Sequence, residues 1–587
     1  MKLLVQVRTE LIGQAVSDND AALLLEGSWP ADTPFSSQRS LDEAIDARFD
    51  WIDLKATQLA ERLDRHTAAS GTHPPDGISA AYLNALGLCY YLVKLLRLVV
   101  YFTDVYPLKP GDSVELVTDG DGDDDYAALL GELCGEAGAE LNVHRVRGKE
   151  RTPHRFPPNA PWRRWATRVC SLAWQPHSFY GQRVVLCGDP RLLQPVCDEL
   201  LDRGCRVWWL CDRFAVKQWF RRPVEQLVCN SSLGGGNRVG VDVPERFEFR
   251  GINLAEPLRR WFDRRLALHG PRQTRTVEQI DRHFRDVRPD AIVLDEDATP
   301  FARAAVAMAR RHGSRSLVIQ HGAPCCRFGF SPLAADEILA WGELSLQKLI
   351  DWGVPPERIH LAGSPQHDRL LNKKRDLPDN PPAIDRPRIL LLATVAPRDH
   401  RPDAVALQLT TDSYRQMLRM AFSTIAGIDG VRLTVKLHPR APEDPLLRRT
   451  LAEFPTLKAR LIRQGRLDKL LQDADCVLSC GSSAGVEAAA LGLPVIQLEP
   501  ARAADILPHV DWGMIGGARN KRQLQELLIR VLLEGQRPDP RRSAGVFANV
   551  DRPATTEVVN RVLGLSKTAA ASDKFTAESK PDCVHSR

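Results

Sequence analysis

The sequence predicts an α/β protein with two Rossmann-like domains that face each other across a cleft. The chain has 587 residues, and a single hydrophobic core rarely grows beyond roughly 250 to 300 residues. Short apolar runs alternate with helical stretches along most of it, as parallel strands with helical crossovers require. A segment rich in proline and charge, 372–388, separates two such series and is the predicted linker.

Composition restricts the class of protein further. Apolar residues make up 43% of the chain and charged residues 26%, which are ordinary values for a globular protein. The net charge of +5 is small for this length and predicts no nucleic-acid partner. The thirteen cysteines include no C-x-x-C pair, so we expect reduced thiols and neither a disulfide framework nor a metal site.

The first series predicts an N-terminal α/β domain over residues 1–371, with a helical N-terminal region. A strand, helix and strand are clearest at 182–212, where "QRVVLCGD" and "CRVWWLCD" flank a helical stretch. The pattern resumes at 289 with "PDAIVLDED", a helix at 300–313, and a strand that ends in "QHG" at 320–322. The glycine-rich segment 230–250 lacks a strand and helix around it and predicts a surface loop.

The most hydrophobic stretch lies at 83–102 and contains Lys94 and Arg97. A membrane span needs about 18 or more nearly uncharged residues, so a buried helix is expected. An interfacial helix at a membrane surface is the alternative. Because no secretory signal is found at the N-terminus, we expect a cytoplasmic protein, with a peripheral contact at the inner face of the plasma membrane as the alternative.

The second series predicts a C-terminal Rossmann-like domain over 389–565. Its strand signals are "ILLLATV" at 389–395, "VRLTVKLHPR" at 431–440, "ADCVLSCGSS" at 474–483 and "LPVIQLE" at 493–499. The tail at 566–587 is polar and built of small residues. We expect that tail to be disordered.

Candidate anion-binding residues follow two strands of the second series. Ser482 and Ser483 stand between a strand and a helix, where free backbone amides and hydroxyls suit a phosphate, although a serine also caps helices without any ligand. In "KLHPR", Lys436, His438 and Arg440 alternate along the chain and therefore point to one side. Together these residues predict a diphosphate site.

Candidate polar residues also follow two strands of the first series. Asp295, Glu296 and Asp297 end one strand, and His321 follows the next. Ligands of open parallel sheets bind at this end of the strands. The carboxylates could hold a divalent ion, but acidic residues at such positions also cap helices. We therefore predict no metal and no cofactor.

An ordered set of motifs resembles the bacterial surface-polysaccharide transferases of GT-B fold, which include glycerophosphotransferases and the sialyltransferase and polysialyltransferase groups. The set is "QHG" at 320–322, "AADEILAWGE" at 334–343, "GVPPERIHLAGSPQHDRL" at 353–370, "KLHPR" at 436–440 and "SCGSSAGVEAAALGLPVI" at 479–496. The resemblance covers roughly residues 289–500, a little over a third of the chain. The last part of the third motif suggests a structural elbow, with Asp368 capping the entry to the linker.

The resemblance implies roles for the candidates. The N-terminal domain would bind a glycan or lipid-linked acceptor, and the C-terminal domain a nucleotide-activated sugar or a CDP- or CMP-linked donor. His438, Ser482 and Ser483 would contact the donor phosphates, and Arg398 would add a cation. In inverting, metal-independent transfer, the base would be His321, as in the glycerophosphotransferases, or one of Asp295, Glu296 and Asp297, as in the sialyltransferases; His321 could also serve only to shape the cleft.

Two other functions remain open. The non-hydrolysing nucleotide-sugar 2-epimerases share the GT-B fold, but this chain has "QHGAP" where they show His-x-Glu-Ala-Gly, and it lacks their Arg-Pro-Glu stretch near "QLEPARAAD". A non-catalytic protein that binds a nucleotide or glycan is the other alternative, because residues 1–280 match no recognised motif.

Overall fold

The computed structural model describes three parallel β-sheets, here named the N-terminal, middle and C-terminal sheets. The described residues are 2–8, 21–26, 38–45, 48–70, 78–118, 124–145, 181–212, 224–229, 241–371, 386–395, 409, 411–439, 441–463, 465–500, 509–548 and 552–565.

The strands are distributed over the sheets in chain order. The N-terminal sheet contains β1 Lys2–Arg8, β2 Ala21–Glu26, β3 Gln38–Ser40, β4 Ser113–Thr118 and β5 Glu140–Arg145. The middle sheet contains β6 Arg183–Cys187, β7 Arg206–Cys211, β8 Glu225–Val228, β11 Ala291–Leu294, β12 Arg315–Ile319, β13 Glu337–Ala340 and β14 Ile359–Leu361, and a small hairpin is formed by β9 Glu248–Phe249 and β10 Ile252–Asn253. The C-terminal sheet contains β15 Arg388–Leu392, β16 Arg432–Lys436, β17 Ala459–Ile462, β18 Cys476–Ser479, β19 Val495–Leu498 and β20 Gly516–Ala518.

The helices connect and cover these strands. They are α1 Leu41–Ile45, α2 Phe49–Ala69, α3 Ala80–Leu83, α4 Ala85–Val100, α5 Asp124–Ala137, α6 Pro190–Asp202, α7 Ala255–Val287, α8 Pro300–Arg311, α9 Glu343–Asp351, α10 Asp368–Leu371, α11 Thr411–Ile425, α12 Pro445–Ala452, α13 Leu467–Gln472, α14 Ser483–Ala490, α15 Lys521–Leu532, α16 Pro540–Ala544 and α17 Ala554–Val562.

The strand order confirms the two predicted Rossmann-like domains. The middle sheet runs β14-β13-β12-β11-β6-β7-β8 and the C-terminal sheet runs β17-β16-β15-β18-β19-β20. Numbered from its own first strand, each sheet has the doubly-wound order 3-2-1-4-5-6, and the middle sheet adds one more strand. All pairings in both sheets are parallel. Their central strands, such as β11 and β18, are buried at every position, as helices on both faces require.

The region expected to be helical also contains the N-terminal sheet, in the order β3-β2-β1-β4-β5. The first three strands of this sheet were not predicted from the sequence. The segments 9–20 and 27–37 that separate these strands in sequence gave no repeated strand-helix signal. The segment predicted as a loop at 230–250 also differs at its end, where β9 begins the hairpin; residues 230–240 lie outside the described part.

The hydrophobic stretch at 83–102 forms α3, α4 and the start of a π-helical turn, Tyr101–Val105. By length and composition the helical segment Ala85–Val105 could cross a membrane, but 78% of its most apolar window is buried inside the protein. Leu92, Val93 and Leu96 are fully buried. The expected buried helix is confirmed, and a peripheral membrane contact stays a prediction.

Helix α7 joins the N-terminal unit to the middle unit. Phe262, in its first half, belongs to the hydrophobic core around the N-terminal sheet. Ile280 and Phe284, in its second half, belong to the core of the middle sheet. A single 33-residue helix therefore packs in both cores and fixes one unit against the other.

The C-terminal helix α17 does not stay with the C-terminal sheet. Val558, Val559 and Val562 pack in a core cluster of the middle sheet. The last helix of the predicted domain 389–565 therefore packs on the middle sheet and not on the C-terminal sheet. Of the predicted linker 372–388, residues 372–385 lie outside the described residues, as does the predicted disordered tail at 566–587.

Candidate functional site

In each doubly-wound sheet the strand order reverses at one point, and ligands of such folds bind in the crevice beyond the carboxyl ends of the strands there. In the middle sheet the reversal lies between β6 and β11, which are neighbours. In the C-terminal sheet it lies between β15 and β18. The predicted site residues follow strands at or beside these two points.

Asp295 lies at the reversal point of the middle sheet. Its carboxylate accepts a hydrogen bond from the Asp189 backbone N–H at 2.7 Å. A Cβ on Gly188, which has φ +144°, would overlap that carboxylate, so glycine leaves the space that Asp295 fills. Burial raises the pKa of Asp295 to about 6, with smaller upward contributions from Glu296 and Asp189, while the Asp189 N–H lowers it. This carboxyl can therefore exchange a proton near neutral pH.

Glu296 and Asp297 bind backbone elsewhere. Glu296 accepts hydrogen bonds from the Thr299 N–H at 3.1 Å and the Thr299 hydroxyl at 2.6 Å, just before α8. Asp297 is 2% exposed, and one of its oxygens accepts from the backbone N–H groups of Ala334 and Ala335 at 2.6 and 2.8 Å. The three acidic residues thus diverge, and the partners of Glu296 and Asp297 are structural.

His321 begins a loop that Gln320 anchors. The buried Gln320 side chain donates to the Gly322 carbonyl at 2.8 Å and accepts from the Trp341 N–H at 2.8 Å. His321 itself is exposed, and its ring stacks on Phe330 at 4.7 Å between centroids with a 4° tilt. Phe330 therefore sets the plane of the imidazole.

The loop at 321–330 contacts the other two units. Phe328 packs in the core of the N-terminal sheet and stacks edge-on against Tyr90. Ala323 packs in a cluster with Leu392 of β15. The pKa of Cys325 is raised to about 12 by burial and, next, by Glu499, which directly follows β19. The carboxyl edges of the middle and C-terminal sheets therefore meet at this loop.

Ser482 and Ser483 form the turn between β18 and α14. Gly481 has φ +76°, which permits the sharp turn. Ser479 is fully buried and its hydroxyl accepts from the Ser482 N–H at 3.2 Å. Ser482 caps α14 by accepting from the Ala484 N–H at 3.3 Å. This is the helix-capping role that the sequence offered as the alternative to phosphate binding. The Ser483 hydroxyl stands at the first position of that helix.

Lys436 and His438 lie at the same edge. Lys436 ends β16. Leu392 of β15 pairs with Lys436 on one side and with Ser479 of β18 on the other, so Lys436 and Ser479 lie about 10 Å apart at the usual strand spacing. The Lys436 ammonium donates to the carbonyls of Leu437 and Arg463 at 3.1 and 3.3 Å, and burial lowers its pKa. The predicted contacts Arg398 and Arg440 lie outside the described residues.

Two groups near the junction, the place where the middle and C-terminal sheets meet at the loop 321–330, were not predicted from the sequence. Glu499 is 1% exposed and lies 3.7 Å from the Nδ1 atom of His509; its signal was an acidic residue directly after an apolar strand. His367 was read only as part of an elbow. Its ring bridges the Ser364 hydroxyl at 2.8 Å and the Glu487 carboxylate of α14 at 3.0 Å, so it ties the middle unit to the helix that carries Ser483.

The arrangement offers a titratable carboxyl and an accessible imidazole on one side of a junction and hydroxyl and amide donors on the other. Among the described residues, no cluster of histidine, cysteine and acidic side chains could hold a metal ion. The described cysteines are free thiols. The catalytic and phosphate-binding roles of the predicted residues stay predictions.

No protein-family model and no curated protein matches the chain. Similar solved structures include the UDP-GlcNAc 2-epimerase from Methanocaldococcus jannaschii, with 15% identity and a TM-score of 0.41 over 65% of this chain and 99% of that chain. The lipopolysaccharide outer core galactosyltransferase WaaB has 11% identity and a TM-score of 0.41 over 65% and 99%. MurG from Acinetobacter baumannii has 13% and 0.36 over the same shares. Values this low carry no argument about activity.

Proposed function

We propose that the protein transfers a glycosyl group from a nucleotide-activated donor to a hydroxyl of a surface polysaccharide or its lipid-linked precursor. The observation that carries the proposal is the meeting of two doubly-wound edges at the loop 321–330. One edge has hydroxyl and amide donors around Ser483, suited to phosphate. The other has Asp295, suited to proton transfer. Glycerophosphoryl transfer is the alternative reaction, in which the acceptor oxygen attacks phosphorus and the phosphorus–oxygen bond to the leaving nucleotide breaks. The cytoplasm is the compartment we expect.

In this proposal the donor phosphates lie against the turn Gly481–Ser483, with His438 beside them. Negative charge grows on the leaving phosphate as its bond to the sugar breaks. Fixed donors aimed at that charge stabilise the transition state more than the ground state. Arg398 and Arg440 stay predicted cationic contacts of the same phosphates.

We assign the base to Asp295. The acceptor oxygen forms a bond to the anomeric carbon, the carbon–phosphate oxygen bond breaks with its electron pair going to the phosphate, and the acceptor proton moves to the Asp295 carboxylate. Asp297 is excluded from this role in the proposal because both of its hydrogen bonds hold the loop at 334–335. His321, on the loop between the edges, is assigned to substrate positioning.

A donor screen separates this function from its alternatives. Nucleotide sugars carrying UDP, CDP or CMP would be supplied singly, with and without a mixture of glycan and polyprenyl-linked acceptors, and free nucleotide and sugar configuration would both be measured. Transfer predicts nucleotide release that requires acceptor. An epimerised sugar without acceptor, or binding without any turnover, would replace the proposal by the epimerase or the non-catalytic alternative.

A further inference from the structure

His367 is a buried imidazole that contacts both the middle and the C-terminal unit. It is 4% exposed and lies in the short turn Pro365–His367, which follows β14. Its Nδ1 atom lies 2.8 Å from the Ser364 hydroxyl, and its Nε2 atom lies 3.0 Å from a carboxylate oxygen of Glu487 on α14. Because an ionised carboxylate only accepts hydrogen bonds, the Nε2–H group of His367 donates to Glu487.

The packing around His367 does not by itself call for an imidazole. The ring lies edge-on to Trp341 at 5.2 Å and tilted against Phe547 at 5.0 Å between centroids. Both of these neighbours are buried. An apolar side chain of similar size could fill the same space, but it could not donate to Glu487. The hydrogen bond to α14 is therefore the contribution that is specific to histidine at this position.

The same helix face carries Glu487 and Ser483. The two residues are four positions apart in α14, so their Cβ atoms lie about 5 to 6 Å apart on one side of the helix. Helix α14 has only eight residues, and a helix this short is not stable by itself in water. Its tilt and rotation are set by what it packs against, and His367 bonds to the face that presents the Ser483 hydroxyl.

The group that holds α14 also holds the loop 321–330. Trp341, which packs against His367, donates its backbone N–H to the Gln320 side-chain oxygen and its ring N–H to the Gln320 carbonyl, both at 2.8 Å. Gln320 directly precedes the loop. Val486 of α14, Trp341 and Ala323 of the loop belong to one hydrophobic cluster. The helix and the loop are thus fixed to the same buried residues.

We propose that His367 is a positioning residue for the turn Gly481–Ser483, here called the donor turn. It contacts no substrate in this proposal and acts through Glu487, which keeps the Ser483 face of α14 at a fixed place relative to the loop 321–330. Transfer between two units needs this, because a misplacement of about 1 Å between the reacting atoms can cost about 100-fold in rate. The inference rests on the proposed function, since it takes Ser483 as a contact of the donor phosphates.

Nucleotide affinity and turnover test the positioning role. UDP and CMP would be titrated by calorimetry into the full-length protein and its variants, and acceptor-dependent nucleotide release would be measured in parallel. His367→Leu removes both hydrogen bonds of the ring and keeps an apolar side chain of similar size. We expect it to weaken nucleotide binding by about three- to thirtyfold and to lower kcat by up to about 100-fold.

A conservative variant separates the hydrogen bond from the packing. His367→Gln should restore most of the affinity, because its amide N–H can replace the Nε2–H as the donor to Glu487. His360→Leu is the matched control, since the Nε2 atom of His360 lies 3.2 Å from Glu337 in a second histidine–glutamate pair, within the middle sheet. It should leave nucleotide affinity unchanged, whatever it does to the unfolding temperature.

A double variant shows whether His367 acts through the donor turn. If it does, His367→Leu should weaken nucleotide binding less in a Ser483→Ala background than in the wild type, because both changes remove the same contact. A merely structural role predicts instead that the folded His367→Leu protein behaves like the His360→Leu control.

The inference is overturned, with the proposed function intact, if folded His367→Leu binds nucleotide and turns over like the wild type, or if His367→Gln loses as much as His367→Leu. Where His367→Leu does not fold, Glu487→Ala removes the other partner of the pair, and wild-type nucleotide affinity in that variant overturns the inference equally. A wild-type protein that binds neither UDP nor CMP would overturn the proposed donor turn, and the role of His367 with it.

Discussion

At the scale of single residues, the central feature is the Asp295 carboxyl, which the neighbouring backbone accommodates and hydrogen-bonds. Gly188 leaves room for Asp295, and the Asp189 N–H bonds to it. Burial nevertheless raises its pKa to about 6. A carboxyl whose charged form is disfavoured by burial is typical of a site that exchanges protons and not of a surface acid.

The pH dependence of kcat/KM follows from that pKa. A base works only when ionised, so we expect kcat/KM to fall about tenfold per unit as the pH drops below about 6. In Asp295→Asn the rate should be low, about 100-fold or more below the wild type, and this acidic limb should be absent. Initial rates between pH 4.5 and 8 measure both.

Stability provides the control for this prediction. Because folding raises the pKa of Asp295 above its usual 3.8, its contribution to stability is present at low pH and is lost as the pH rises through about 6. Asp295→Asn should therefore unfold at pH 7 at the same or a higher temperature than the wild type. Gly188→Ala, which displaces the carboxylate and strains a positive φ, should lose activity together with stability. An unchanged acidic limb in Asp295→Asn would assign the base to another group, with His321 next.

At the scale of elements, much of the fold was readable from the sequence. Strands such as β11 and β12 are short apolar runs followed by polar residues, because both faces of each strand are buried and its carboxyl end lies at the edge of the sheet. The roles of Asp297 and His367 were not readable. Asp297 bonds to backbone at Ala334, and His367 bonds to Glu487; such partners are far away in sequence, and only the folded chain brings them together.

Asp368 shows the same limit. It was expected to cap the entry to the linker, but its carboxylate accepts from the Ala554 N–H at 2.7 Å and from the N–H and hydroxyl of Thr555 at 2.9 and 2.6 Å. It therefore caps α17, the helix that returns to the middle sheet. Together with the packing of Val558 and Val559, this cap holds the end of the described chain against the first half.

Removing this cap should loosen α17. Asp368→Ala is expected to destabilise the docked helix by about 1 to 3 kcal/mol, the cost of a lost N-cap with its hydrogen bonds. Amide hydrogen exchange at 554–562 should become faster by the corresponding factor. Asp351→Ala, which removes an exposed carboxylate bonded to Gln347 at 2.9 Å, serves as the matched control. Equal exchange in the two variants would show that packing alone holds α17.

At the scale of the whole molecule, three parallel sheets converge on one loop. The N-terminal sheet receives Phe328, the C-terminal unit receives Ala323, and the middle sheet supplies the strand that leads to His321. This junction was predicted only in part, because the sequence analysis placed two sheets around a cleft and missed the third. In the proposed function, the turn at Ser483 binds the donor and Asp295 accepts the proton.

The measurement that tests this division most directly compares two variants in the same assays. Ser483→Ala leaves the Ser482 cap in place and should weaken nucleotide binding by about tenfold or more, the effect of losing a hydrogen bond to a charged phosphate. Asp295→Asn should leave nucleotide affinity unchanged and lower acceptor-dependent turnover by about 100-fold or more. Calorimetry gives the first quantity and nucleotide release the second. If Ser483→Ala binds nucleotide normally and Asp295→Asn turns over at the wild-type rate, the proposed site is contradicted.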